Sequence, residues 1–134
     1  MGYRGAYTVR LDLTDLADGQ HAGLACMGRN NYCFGIRQAS GRRELYFEKD
    51  GGLLGSLALQ AAAVWLRLSY DAEAREGGFS FQYSLDGKHF EPFGEAFAAH
   101  NGFWKGARPA LFSYNTVQRG GTAWFRDFVF TEKK

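Results

Sequence analysis

A chain of 134 residues suits a single domain spanning 1–134, and that length can bury about two-thirds of its unfolded surface without a disulfide or a metal to staple it. Sixteen basic and fourteen acidic side chains are mixed along it, for a net charge of +2, so the concentrated basic stripe of a nucleic-acid binder is missing. No apolar run approaches the ~20 residues of a membrane helix, and the N-terminal MGYRGAYTVR lacks the apolar stretch of a signal peptide; no membrane partner is expected and the compartment is left open. Twelve Phe, seven Tyr and three Trp suit the half-buried faces of pleated sheets, and any that stand outside are the side chains with which proteins hold sugar rings.

The first predicted strand is carried by Tyr7, Val9, Leu11 and Leu13, which alternate with Thr8, Arg10 and Asp12. Cys26 and Cys33 flank the turn Gly28-Arg29-Asn30-Asn31, where a four-residue hairpin loop would set them opposite one another. A bridge is then geometrically possible, but reduced thiols are expected, because a cross-strand disulfide is often strained and the fold does not need one. No His or second Cys pair supplies the spacing of a zinc site, so neither metal nor cofactor is expected.

Glu44-Leu45-Tyr46-Phe47-Glu48 is the best catalytic candidate, since Glu44, Tyr46 and Glu48 share a face of a strand. It resembles the Glu-x-Asp-x-Glu strand of laminarinase-like glycanases, with Tyr46 in place of the central Asp. The two Glu Cα atoms would stand about 13 Å apart on a regular strand. A retaining glycosidase pair needs its carboxyls roughly 5 Å apart. No catalytic residue is therefore assigned. Leu53, Leu54, Leu57, Ala61, Val64 and Leu68 recur at helical spacing and allow a short helix around 53–62.

Alternation resumes at Val64, Leu66, Leu68 and Tyr70, with Trp65, Arg67 and Ser69 between them, and again at Phe79, Phe81, Tyr83 and Leu85, interleaved with Ser80, Gln82 and Ser84. Asp86-Gly87 is a hairpin signal. His21, His89 and His100 lie near turns with no nucleophile beside them. Asn101-Gly102 and Gly106 bracket Phe103 and Trp104 in a short loop, and Pro109 opens a last strand-like run, where its missing donor is tolerable. Many short strands at this spacing predict an all-β, antiparallel sandwich.

Four segments, VRLDLTDLADGQHAGLACM at 9–27, FSFQYSLDGKHFEPFGEAF at 79–97, GFWKGARPALFSYNT at 102–116 and GTAWFRDFVF at 121–130, together resemble the C-terminal β-sandwich of glycoside hydrolase family 43, the xylosidases and arabinofuranosidases. The resemblance implies a concanavalin A or laminin-G-like jelly roll. It also implies a division of labour, in which a separate catalytic propeller holds the carboxylates and the sandwich packs against it or binds xylan. The family module usually begins further upstream, so an unpaired sheet edge is expected, met by pairing with a second copy (a homodimer) or by a compensating strand near Tyr3–Leu13. The resemblance further implies that Phe103 or Trp104 reaches toward the propeller's active site as a wall for bound sugar, although many members carry a non-aromatic residue at Trp104.

The expected function is that of a non-catalytic accessory module binding plant cell-wall polysaccharide, xylan or arabinoxylan first. The alternatives are a purely structural buttress for the propeller and a small glycanase using Glu44 and Glu48. Two sugar-binding surfaces are expected: the loop with Phe103 and Trp104, and a single sheet face holding Tyr46, Trp65, Arg67 and Gln82.

Overall fold

The computed structural model describes residues 4–27, 31–71, 78–98, 108–115 and 123–133. Ten strands carry these residues: β1 (Arg4–Asp12), β2 (Gln20–Met27), β3 (Tyr32–Ala39), β4 (Arg42–Lys49), β5 (Gly52–Leu59), β6 (Ala63–Asp71), β7 (Gly78–Ser84), β8 (Glu91–Ala98), β9 (Arg108–Asn115) and β10 (Trp124–Lys133). They form two antiparallel five-stranded sheets: sheet A in the order β10-β1-β6-β7-β8 and sheet B in the order β5-β4-β3-β2-β9.

Period-two alternation decides which side chains fill the space between the sheets. Val9 and Leu11 of β1, Leu66 and Leu68 of β6, and Phe81 of β7 are buried from sheet A; Leu24, Phe34, Ile36, Leu45 and Phe47 meet them from sheet B. Phe34 lies at the centre, its ring centroid 4.9 Å from that of Phe81 and 5.5 Å from that of Phe93. Two tight turns shape sheet B. Ser40-Gly41 and Asp50-Gly51 each place two successive residues at positive φ (52° and 72°, 50° and 86°). That is the twist of a type I′ turn, which matches the right-handed twist of the strands it joins.

The second of these turns explains why the helix expected around 53–62 does not form. It folds the chain straight back along β4, and the segment pairs as strand β5, from Gly52 opposite Lys49 to Leu59 opposite Arg43. Leucines at helical spacing need a wet face and a dry one, but β5 is an edge strand whose Leu53, Leu54 and Leu57 are 48%, 61% and 41% exposed. A bulge opposite Phe47 and Glu48 takes up Leu54.

Two other expectations are corrected. β1 does not cover a bare edge, because it is hydrogen-bonded to β10 on one side and β6 on the other; among the described strands the edges are β10 and β8 in sheet A, β5 and β9 in sheet B. Cys26 and Cys33 are not opposite one another: the register pairs Cys26 with Tyr32 and Ala25 with Cys33. The offset of one residue sends Cys26 into the core and Cys33 to the outer face, so the two thiols cannot bridge, and both are free. Burial pushes the Cys26 thiol up to about 12.

Candidate functional site

Each sheet has an outer face, and the residues expected to share one face are divided between the two. Trp65 and Arg67 on β6 and Gln82 on β7 lie together on sheet A, Arg67 directly opposite Gln82. Tyr46 lies on β4 in sheet B. A strand's face can be read from alternation, but which strands share a sheet depends on pairings distant in sequence. Phe103 and Trp104 fall outside the described residues.

Arg67, Gln82 and Trp65 on the sheet A face are already engaged by neighbouring residues. Arg67 Nε donates to Thr8 Oγ1 at 3.1 Å, and its guanidinium lies 3.7 Å from the ring centroid of Phe90. Burial lowers the Arg67 pKa. Gln82 Oε1 accepts from Ser69 Oγ at 2.6 Å and its Nε2 donates to Ser80 Oγ at 2.7 Å. Trp65 is half-buried between the Arg10 guanidinium, 5.3 Å from its ring centroid, and the β7–β8 turn. That turn approaches so closely that a Cβ on Gly87, at φ +79°, would come within 2.9 Å of the indole. Asp86 fixes the turn. Its Oδ1 accepts the Lys88 and His89 backbone N–H groups at 2.7 and 2.8 Å, and its Oδ2 stands 2.7 Å from His89 Nδ1. These bonds, that to His89 first, hold the Asp86 carboxyl below its usual range, and Asp86 in turn raises His89.

The sheet B face is built differently. Tyr46 projects away from the inter-sheet core yet is 0% exposed. Its hydroxyl stands 3.3 Å from His21 Nδ1 on β2 and is hydrogen-bonded to Tyr114 on β9. His21 stacks on Tyr114 with centroids 4.7 Å apart and planes 9° from parallel, and meets the Tyr46 ring edge-on at 5.5 Å. The Arg37 guanidinium lies 5.7 Å from the Tyr46 ring centroid and 3.6 Å from Glu44.

The backbone beneath this cluster is unusually close-packed. Gly23 and Gly35 face each other across β2 and β3, and a Cβ on Gly35 would fall 2.2 Å from the Ala22 carbonyl oxygen. Burial lifts the Tyr46 phenol above its ordinary range, with Tyr114 and Glu48 adding to the effect. Burial lowers His21; Glu48 opposes that shift and Arg37 reinforces it. The cluster therefore presents neutral rings flanked by a guanidinium and two carboxylates. Sequence reasoning placed His21 at a turn and gave Tyr114 no role. Their signal was the alternation of His21, Gly23 and Ala25 against Ala22, Leu24 and Cys26, which has no partner until β9 is known to pair with β2.

Two five-stranded antiparallel sheets packed around an aromatic core make a β-sandwich. Residues 1–131 match the family described as the beta-xylosidase C-terminal concanavalin A-like domain, and the chain belongs to it. A putative beta-xylosidase of Xylanibacter ruminicola is 30% identical over 108 residues, covering 81% of this chain and 19% of that protein. A beta-xylosidase of Formosa agariphila is 28% identical over 119 residues, covering 87% and 19%. Among solved structures, a bifunctional GH43-CE protein of Bacteroides eggerthii superposes with a TM-score of 0.87 at 24% identity, over 100% of this chain and 18% of that one. A GH43 glycoside hydrolase engineered for both endo-xylanase and exo-arabinofuranosidase activity gives 0.85 at 20% identity, over 99% and 30%. The chain spans about a fifth of the length of the curated relatives it matches.

Proposed function

We propose that the chain is a non-catalytic, carbohydrate-associated accessory module of a longer hydrolase acting on plant polysaccharide, xylan or arabinoxylan first. The observation that carries this reading is that the whole domain corresponds to only 19% of its xylosidase relatives, which leaves room elsewhere for the catalytic propeller expected as its partner. The described carboxylates support it. Glu44 and Glu48 are separated by the buried Tyr46, Glu44 is paired with Arg37, and a regular strand holds their Cα atoms about 13 Å apart against the roughly 5 Å that retaining carboxyls require.

A buttressing role is favoured by one separate observation, the exposed Leu53, Leu54 and Leu57 along the β5 edge, a patch of the kind that partner domains cover. The two roles are compatible. By resemblance, Phe103 and Trp104 would wall the parent's substrate site, and Trp104→Ala in that parent should weaken substrate binding without unfolding the domain.

The test is to run the pure chain through native gels containing soluble xylan or arabinoxylan and to assay the same sample for released reducing sugar. Retardation without hydrolysis is expected. Steady hydrolysis that is lost in Glu48→Gln would contradict the non-catalytic reading. Unretarded migration in every gel would leave the buttress as the module's role.

A further inference from the structure

Cross-strand pairing on sheet B puts Tyr114, His21, Arg37 and Glu44 in one row, one residue from each of β9, β2, β3 and β4. Three strand spacings make the row roughly 14 Å long. It begins at the sheet edge with Tyr114, which is 46% exposed; its ring is stacked on His21 with the Phe112 ring tilted beside it at 5.9 Å, and among the described residues no strand lies beyond β9. It continues through a neutral imidazole to a guanidinium and ends on a carboxylate. Tyr46 underlies it, and its buried hydroxyl ties both rings in place.

Such a gradation suits one chemistry. A flat, rigid ring offers apolar contact to the C–H face of a sugar. A guanidinium and a carboxylate side by side offer a donor fork and paired acceptors to neighbouring hydroxyls. The charge balance narrows the ligand further. Glu44 and Glu48 stand against Arg37 among the described charged residues around the cluster, so an acidic polysaccharide would meet like charge.

We propose that the row Tyr114–His21–Arg37–Glu44 is a binding strip for a neutral chain of pyranose rings, with one ring against the exposed part of Tyr114 and the hydroxyls of the next toward Arg37 and Glu44. This rests on the reading of the chain as a carbohydrate-associated module and gives that reading a location, on the sheet opposite Trp65, Arg67 and Gln82.

The experiment is calorimetric titration of the chain with xylohexaose and, separately, with hexagalacturonate. Wild type should bind xylohexaose and give no binding heat with hexagalacturonate. Tyr114→Ala should bind xylohexaose at least tenfold more weakly, with its thermal midpoint within a few degrees of wild type, while Tyr114→Phe, which keeps the ring, should stay within threefold. If Tyr114→Ala does not fold, Arg37→Gln is read in its place, with the same expected loss. Equal affinity in wild type and a folded Tyr114→Ala, or in Arg37→Gln where that stands in, would overturn the strip while leaving a sugar-binding module in place. No binding of xylohexaose by wild type would overturn both the strip and the sugar-binding part of the function. Hexagalacturonate bound as tightly as xylohexaose would overturn the assignment to neutral chains.

Discussion

The two outer faces of this sandwich are made by the same alternation of side chains and come out with opposite characters. On sheet A, Arg67 is engaged by Thr8 and Phe90, Gln82 by Ser69 and Ser80, and Trp65 by Arg10 and the Gly87 turn. On sheet B a buried phenol organises two stacked rings, one of them half exposed, beside a guanidinium and carboxylates. On the binding strip proposed above, having the right residue types on a face is not enough to make it receptive. A face whose polar groups are already paired offers a ligand little unless those bonds are broken, whereas rings pre-oriented from below can accept one at low ordering cost.

The largest effect expected from breaking this contrast is at Gly35. Its absent Cβ would meet the Ala22 carbonyl oxygen at 2.2 Å, and a backbone atom in the middle of a sheet cannot step aside. Gly35→Ala should cost about 3 kcal/mol, at the upper end of overpacking, measured by denaturant unfolding. A loss under about 1 kcal/mol, below the ordinary range for overpacking, would show that β2 and β3 can separate and that the sheet B cluster is not built on a rigid floor.

Next comes Tyr46→Phe, which keeps the buried ring and removes the hydroxyl shared by His21 and Tyr114. Loss of a part-buried hydrogen-bonded group should cost about 1–2 kcal/mol, read as a lowered thermal midpoint. No change in midpoint would mean that the two rings are held without Tyr46.

Gln82→Ala on sheet A should cost least among these substitutions, about 0.5 kcal/mol, because Ser69 and Ser80 are only part-buried and can turn to water. A cost matching that of Tyr46→Phe would erase the contrast between the faces.

The smallest effect is in the pH response, where the two faces should act with opposite sign. His21, lowered chiefly by burial, resists protonation in the folded state. Its contribution is therefore present above its ordinary value of 6.5 and is lost as pH falls from there through its lower folded value. His89, raised by the Asp86 carboxylate, contributes below 6.5 and loses that contribution as pH rises through its higher folded value. Following the two ring protons by NMR through a titration checks the order: His21 should titrate below 6.5 and His89 above it.

Much of the architecture was legible because alternation is a local signal. Val9 and Leu11, Leu66 and Leu68, and Phe81 could be assigned to the core from their own segments, and Asp86-Gly87 marked its turn without any knowledge of the fold. The β5 segment misled because its leucines are exposed: Leu53, Leu54 and Leu57 carry no face for either period to reveal, and the Asp50-Gly51 turn was the better guide. Cys26 and Cys33 misled by a single residue of register, which alternation alone does not fix. The candidate site was half legible. Tyr46 stood out as the odd residue of an acidic strand, but its partners His21 and Tyr114 lie 25 and 68 positions away on strands that only the topology unites. Trp65, Arg67 and Gln82 could be placed on an outer face, though not excluded from the face of Tyr46.

The most direct test is to map amide chemical shifts of the chain during titration with xylohexaose. The shifts expected are concentrated on β2, β3 and β9, at His21, Arg37 and Tyr114, with β6 and β7 quiet. Shifts centred instead on Trp65, Arg67 and Gln82 would contradict the assignment of the receptive face, and a spectrum unchanged at saturating sugar would contradict the carbohydrate-binding role itself.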